Sequence, residues 1–226
     1  MTDSDRKTAL MVTGIVLKSA PAGEYDRRVV LLTKESGKLS CFARGARRQG
    51  STLMAAGPFA FGRFRLAAGR TSYILTDAEI DNYFADLRND IMTAYHGMYF
   101  LEIAEYITRE NNDEAMVLAL LYMALRALEK KAMPERLIRT VYELKTVAIE
   151  GEYPEITEET AGRLDPSTVY ALRFIAESPL EKLFSFRVSE RVQKELQDYA
   201  AGVCGSFFGG HAFESLAVIR TMSYNQ

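Results

Sequence analysis

The hydrophobic period of this chain changes once, near residue 81, and that switch limits the fold to a strand-built front and a helix-built remainder. From Met11 to about Ile80 apolar residues recur at every second position, punctuated by turn residues. The strand candidates are residues 12–18, 28–34, 38–44, 59–66 and 72–78. Pro21-Ala22-Gly23, Ser36-Gly37, the stretch 45–51 and Ala68-Gly69-Arg70 separate them, and Ser36-Gly37 is short enough for a hairpin. In the second strand Val29, Leu31 and Thr33 share one face, and Val30 and Leu32 lie on the other between Arg28 and Lys34. Its centre is thus apolar on both sides, as in a barrel strand partly covered by a neighbour. In the fourth strand the apolar face slips phase near Gly62, from Phe59 and Phe61 to Phe64 and Leu66. A glycine at a phase slip marks a bulge or a barrel corner. Five short, curved strands in about 70 residues predict a small closed barrel of the OB-fold kind. An SH3-like barrel leaves much the same pattern.

Beyond Asp81 the period is helical. Residues 86–109 read as one long helix with Ile91, Tyr95, Met98, Glu102 and Tyr106 on its apolar face. Residues 114–131 form a second, with Val117, Leu120, Leu121, Ala124, Leu125 and Leu128 inside. Pro134 starts a third that carries Leu137, Val141, Leu144 and Ala148 and ends near Gly151. Asp165-Pro166 reads as the cap and first position of a fourth, which Ser178-Pro179 closes. Ser189 caps a fifth through Val192, Leu196, Tyr199 and Val203, and a last helix runs to about Met222. Residues 152–165 are acidic, lack large apolar side chains and read as a loop. The expected organisation is α+β with two domains: a five-stranded OB-fold barrel over residues 1–81, then an all-α domain over residues 82–226.

Charge follows the same division. The chain holds 28 Lys+Arg and 30 Asp+Glu, which suggests no polyanion partner. Residues 1–80, however, hold 13 basic and 7 acidic side chains, a net of +6, and the remainder carries a net of −8. Between Gly37 and Arg70 seven basic residues occur without one acid. Within this span lies KLSCFARGARRQGS, residues 38–51. Strand alternation puts Lys38, Ser40, Phe42 and Arg44 on one face and Leu39, Cys41 and Ala43 on the other, with Arg47 and Arg48 following at once. Cations for phosphates and a flat ring for a base are what single-stranded nucleic acid requires. A solvated edge strand with a charged turn has the same composition. The candidate nucleic-acid contacts are Arg27, Arg28, Lys38, Phe42, Arg44, Arg47, Arg48, Arg63, Arg65 and Arg70. Arg27 and Arg28 lie beside Glu24 and Asp26, and Arg63 and Arg65 share a face from which they can pair with acids of the second domain. Arg44, Arg47 and Arg48 have no acid nearby in sequence. A second basic group, Arg126, Lys130, Lys131, Arg136 and Arg139, straddles two helices of the acidic part.

The motifs of common enzyme chemistries are absent: there is no GxxxxGK[ST], GxSxG, HExxH or CxxC. No catalytic residue, cofactor or metal is therefore expected. Cys41, Cys204, His96 and His211 are the only Cys and His residues and have no paired spacing. No apolar run approaches the roughly 20 residues that span a bilayer, and the start is polar without a leader-like apolar stretch. These features point to a reducing cytoplasm.

Glu24, Asp26 and Thr33, with Gly37-Lys38, are similar to the GE-D--V-L-T---GK signature of the RecO family of bacterial recombination mediators, which the sequence resembles. ARGARRQGS, residues 43–51, is similar to its AKGARR-KS loop, with Arg44 in place of the lysine. Gly57-Pro58-Phe59 resembles its L-PF turn and Asp77-Ala78-Glu79 its strand-ending AE. Tyr99-Phe100-Leu101-Glu102 resembles its YL-EL helix, Tyr142-Glu143-Leu144-Lys145 its FEL-LL helix, and Gly151-Glu152-Tyr153-Pro154 the G--P that follows. The likeness covers residues 11–156. It departs after Pro154, where many family members carry a zinc module with CxxC pairs; here EITEETAGRLD follows, without cysteine or histidine. The resemblance implies an OB-fold domain that binds single- and double-stranded DNA, and a non-enzymatic, nucleoid-associated protein of DNA repair and recombination. It implies annealing of complementary strands and, with RecR, assistance to RecA loading. It also implies a helical domain that receives the acidic C-terminal tail of single-stranded-DNA-binding protein. An OB-fold module for RNA, or an adaptor whose basic patch meets an acidic protein, fits the same residues.

Overall fold

The first strand sets the geometry of the front of the molecule because it is long enough to pair on both sides. The structure, a computed structural model, describes residues 9–224; the polar first eight residues, read above as lacking a leader, lie outside these. β1 (Leu10–Ala22) pairs antiparallel with β4 (Phe61–Ala68) through its first half and with β2 (Asp26–Thr33) through its second. β2 pairs with β3 (Gly37–Ala43), a short parallel ladder joins β3 to β5 (Tyr73–Asn82), and β5 returns to β4. The result is a closed five-stranded barrel in the order β1-β2-β3-β5-β4, the OB-type architecture.

Two glycines permit the closure. Gly14 and Gly62 face each other across the β1–β4 ladder. A Cβ on Gly14 would lie 2.1 Å from the Leu32 carbonyl oxygen, and one on Gly62 would lie 2.0 Å from that of Glu79. The register of β4 against β5 shifts between Phe61 and Gly62, the bulge predicted from the phase slip. Val12, Val16, Val29, Leu31, Leu39, Cys41, Phe64, Leu66 and Leu75 fill the interior, closed at one end by Ala46, Leu53, Ala56 and Ala60 from the β3–β4 connection. Each large side chain so buried is worth roughly 1.5–3 kcal/mol relative to exposure.

The chain divides into two compact units, and the division is not a single cut. Residues up to Ala85 form one unit together with Leu101–Leu118; Asp86–Phe100 and the residues from Ala119 onward form the other. The boundaries fall inside α1 (Ile91–Ile107) and α2 (Ala115–Glu129). Within the first unit, the end of α1 and the loop after it bind the β2–β3 turn. The Lys38 amide donates to the Arg109 carbonyl at 3.0 Å, the Asn111 amide to that of Ser36 at 3.2 Å, and Gly37 bridges to Glu110.

The second unit is built round α3 (Glu135–Ile149), buried from Leu137 to Val147 except at the half-buried Arg139. Tyr142 stacks on Phe100, ring centroids 4.3 Å apart, and donates its hydroxyl to the Phe100 carbonyl. Lys145 donates to the carbonyls of Ala176 and Ser178 and so closes the end of α5 (Pro166–Glu177). Asp165 and Ser189 cap α5 and α6 (Glu190–Phe207) as predicted, and α7 (Glu214–Tyr224) follows.

Two expectations are corrected. The long helix begins at Ile91, after a 3-10 turn at Ala85–Asn89, and its buried face is not the predicted one. Ile91 is 58% exposed and Tyr106 39%, whereas His96, Tyr99, Phe100, Ile103, Ala104 and Ile107 are buried. Apolar residues surround this helix on nearly all sides, so periodicity alone does not select a face. The stretch 152–165 contains a short helix, α4 (Glu158–Arg163), instead of only loop. Thr157 caps it and two glutamates occupy its first turn, where the helix dipole favours them.

Candidate nucleic-acid interface

Strand β3 presents its residues as alternation requires. Leu39, Cys41 and Ala43 are buried in the barrel, Lys38, Ser40 and Phe42 are half-buried on the outside, and Arg44 is exposed. Phe42 lies opposite Arg28 of β2 in register, and Arg28 donates from Nε to the Ser40 hydroxyl at 3.0 Å. Burial pushes the Cys41 thiol up to about 12, which keeps it an inert core group.

Immediately after β3 the chain folds back onto the β1–β2 hairpin. Gly45 turns with φ +65°, a conformation an L side chain resists. Its N–H donates to Asp26 Oδ1 at 2.8 Å. The Arg47 amide donates to the Tyr25 carbonyl at 2.9 Å and the Arg47 guanidinium to the Gly23 carbonyl at 3.0 Å. Arg48 lays its guanidinium over the Tyr25 ring, 4.9 Å from the centroid. Ala46, fully buried, pins the loop from below. Arg44, Arg47 and Arg48 are thereby collected on one fixed projection, all exposed. Among the described residues none of the three makes an ion pair.

Other candidates are placed differently. The Lys38 ammonium donates to the Glu105 carbonyl at 2.6 Å, and desolvation there lowers its pKa against the pull of Glu105 and other acids. Lys18 lies 3.6 Å from the Glu105 carboxylate. That end of the β2–β3 face is therefore occupied by the helical segment of its own unit. Arg63 pairs at 2.5 Å with Glu79 of the barrel itself and not with an acid of the second domain as expected, because β5 brings Glu79 opposite it in register, and Arg65 stands opposite Asp77 on the same strand. Arg27 is half-buried and donates to the Ser19 hydroxyl at 3.0 Å. Arg70 is exposed in the β4–β5 turn. In the second unit Arg126 pairs with Glu129 and Arg139 lies 3.6 Å from Glu143, while Lys130, Lys131 and Arg136 are exposed. Burial raises the Glu143 carboxyl, which accepts from the Tyr99 hydroxyl at 2.9 Å. Tyr25 is absent from the sequence-based list. Its acidic neighbours Glu24 and Asp26 disguise it, and an aromatic at a predicted turn is the signal that marks it.

Residues 10–84 match the family model described as Recombination protein O N terminal, and residues 88–163 that described as Recombination protein O C terminal. The chain belongs to the RecO family. The DNA repair protein RecO of Alkaliphilus metalliredigens is 33% identical over 145 residues, which is 64% of this chain and 59% of that protein. That of Acetivibrio thermocellus is 27% identical over 218 residues, 83% of this chain and 87% of the relative. That of Halalkalibacterium halodurans is 29% identical over 146 residues, 64% of this chain and 57% of the relative. This RecO-family chain is thus matched over somewhat under two thirds of two of these relatives and over most of the third. No helix among its described residues is long and apolar enough to cross a membrane, and no three His, Cys, Asp or Glu side chains among them group as a metal site does.

Proposed function

We propose that this RecO-family chain is a non-catalytic DNA-binding protein of DNA repair. It binds single- and double-stranded DNA, anneals complementary strands and assists RecA loading together with RecR. The observation that carries this reading is the fixed projection on the OB-type barrel, where Arg44, Arg47 and Arg48 stand exposed without a carboxylate partner among the described residues. Such cations gain free energy by releasing counterions from phosphates, and this attraction needs no base reading and no reacting group. Annealing demands the same thing: two strands held close with their charge screened and their pairing edges free. In the second unit the exposed Lys130, Lys131 and Arg136 are the cations left to receive the acidic tail of single-stranded-DNA-binding protein.

The test is fluorescence anisotropy of a labelled single-stranded oligonucleotide, titrated from about 50 to 200 mM salt. Affinity falls steeply with salt and depends little on base sequence. Arg44→Ala with Arg47→Ala and Arg48→Ala lowers affinity and reduces the slope of log K against log salt by about 2, from roughly 0.7 per phosphate contact on single strands. The circular dichroism of this variant matches that of the parent. Unchanged binding by the triple variant places the DNA site elsewhere.

A further inference from the structure

We infer that Tyr25, with Arg48 laid over it, is the ring on which this chain stacks an unpaired base. The inference rests on the DNA-binding reading of the same projection and adds the chemical class it selects: a nucleobase with a free face, as in single strands and strand ends.

The geometry separates Tyr25 from Phe42. Phe42 sits in the sheet, half-buried, with Arg28 and Ile74 as its register partners on either side. Tyr25 stands in the turn between β1 and β2 and is 44% exposed, so part of its ring is open to a ligand. Its backbone is held by the Arg47 amide, and the next residue, Asp26, holds Gly45. The ring is thus pre-positioned, and little ordering remains to be done when a ligand arrives. The hydrogen bond to the Glu24 side chain raises the phenol pKa above its ordinary value. The planar Arg48 guanidinium lies over the ring, 4.9 Å from its centroid, so the ring already carries a flat partner, and bases also stack on aromatic faces. Arg44 and Arg47, both exposed in the loop held against this turn, supply cations for the neighbouring phosphates.

Stacking engages the face of a base and leaves its Watson–Crick edge open. A strand held in this way stays competent to pair with an incoming complement. A base inside a duplex already has both faces covered by its neighbours and reaches Tyr25 only by unstacking. The ring therefore favours single strands over blunt duplex, whereas the arginines serve both.

The chain contains no tryptophan, so Tyr25→Trp creates a unique fluorophore at the proposed contact. Adding oligo-dT quenches this fluorescence, while an abasic deoxyribose-phosphate oligomer of the same length binds without quenching. Tyr25→Ala lowers affinity for single strands by roughly 5- to 150-fold, the worth of one base–aromatic stack. It lowers blunt-duplex affinity much less than single-strand affinity. Undiminished single-strand affinity of Tyr25→Ala, or unquenched Tyr25→Trp under conditions where anisotropy reports binding, overturns the assignment while the DNA-binding reading stands. Failure of the parent protein to bind any oligonucleotide at about 50 mM salt overturns both.

Discussion

Asp26 shows how one side chain can be electrostatically adverse and structurally required at the same place. Its carboxylate lies at the base of a cationic projection, where a negative charge opposes phosphate binding, yet it holds the Gly45 amide at 2.8 Å and so fixes the loop. Coulomb's law alone predicts that Asp26→Ala strengthens DNA binding. The geometry predicts the reverse: single-strand affinity falls several-fold, and stability drops by about 1.5–3 kcal/mol for the lost charge-assisted hydrogen bond. Oligonucleotide titration and urea unfolding measure both, and tighter binding would show that charge outweighs order at this loop. At this scale the sequence discloses those residues whose partners are near or missing. Arg44, Arg47 and Arg48 stand out because no acid is close by in the chain. The partners of Lys38 and Arg63 arrive from 67 and 16 residues away, and no local pattern announces which acceptor each will meet. Tyr25 is hidden for the opposite reason, since the acids beside it suggest a spent, solvated turn.

Among the elements, the barrel depends on close approach of backbones at the β1–β4 seam. Gly62→Ala puts a methyl 2.0 Å from the Glu79 carbonyl oxygen, a backbone atom that cannot swing aside. We predict a loss of about 3 kcal/mol or more, at the upper end of overpacking costs. Gly57→Ala, where nothing lies within 4 Å and φ is ordinary, changes stability little. Urea unfolding of the two variants side by side checks this, and equal midpoints would mean that the seam relaxes freely. The five strands, their inward faces and the bulge at Gly62 are legible because one buried face imposes a strict period of two. The caps at Asp165 and Ser189 are legible because a side-chain acceptor before a helix has one local use. The buried face of α1 is not, because an all-round apolar helix leaves the choice to its neighbours. α4 is overlooked because its single turn and a half buries nothing, and only its cap and first-turn charges encode it.

At the scale of the whole chain, charge and period divide the sequence near residue 81, but compactness divides it otherwise. Leu101–Leu118 belongs with the barrel. Native-state hydrogen exchange offers a direct reading of that membership. The amides of Lys38 and Asn111, bound to Arg109 and Ser36, exchange with the barrel as one cooperative unit. Introducing Gly62→Ala accelerates them along with Val29, while Tyr142 and Leu144 in α3 hold their rates. An Asn111 amide that follows α3 instead would assign this segment to the helical unit. Sequence periodicity does not show the membership, because the segment is helical by pattern and its links to the barrel, backbone bonds at Arg109 and Asn111 and the side chains of Lys18 and Lys38 at Glu105, join residues far apart in the chain. The clasp on the β2–β3 turn also has a consequence for biosynthesis. When Ala85 leaves the ribosome every strand of the barrel exists, yet the partners of Ser36, Gly37 and Lys38 are still to be made. At ~5–20 residues per second the roughly 30 residues that follow take a few seconds. For that interval the nascent barrel carries an open turn with unmatched amides and carbonyls, and its folding is complete only after part of the helical domain has been translated.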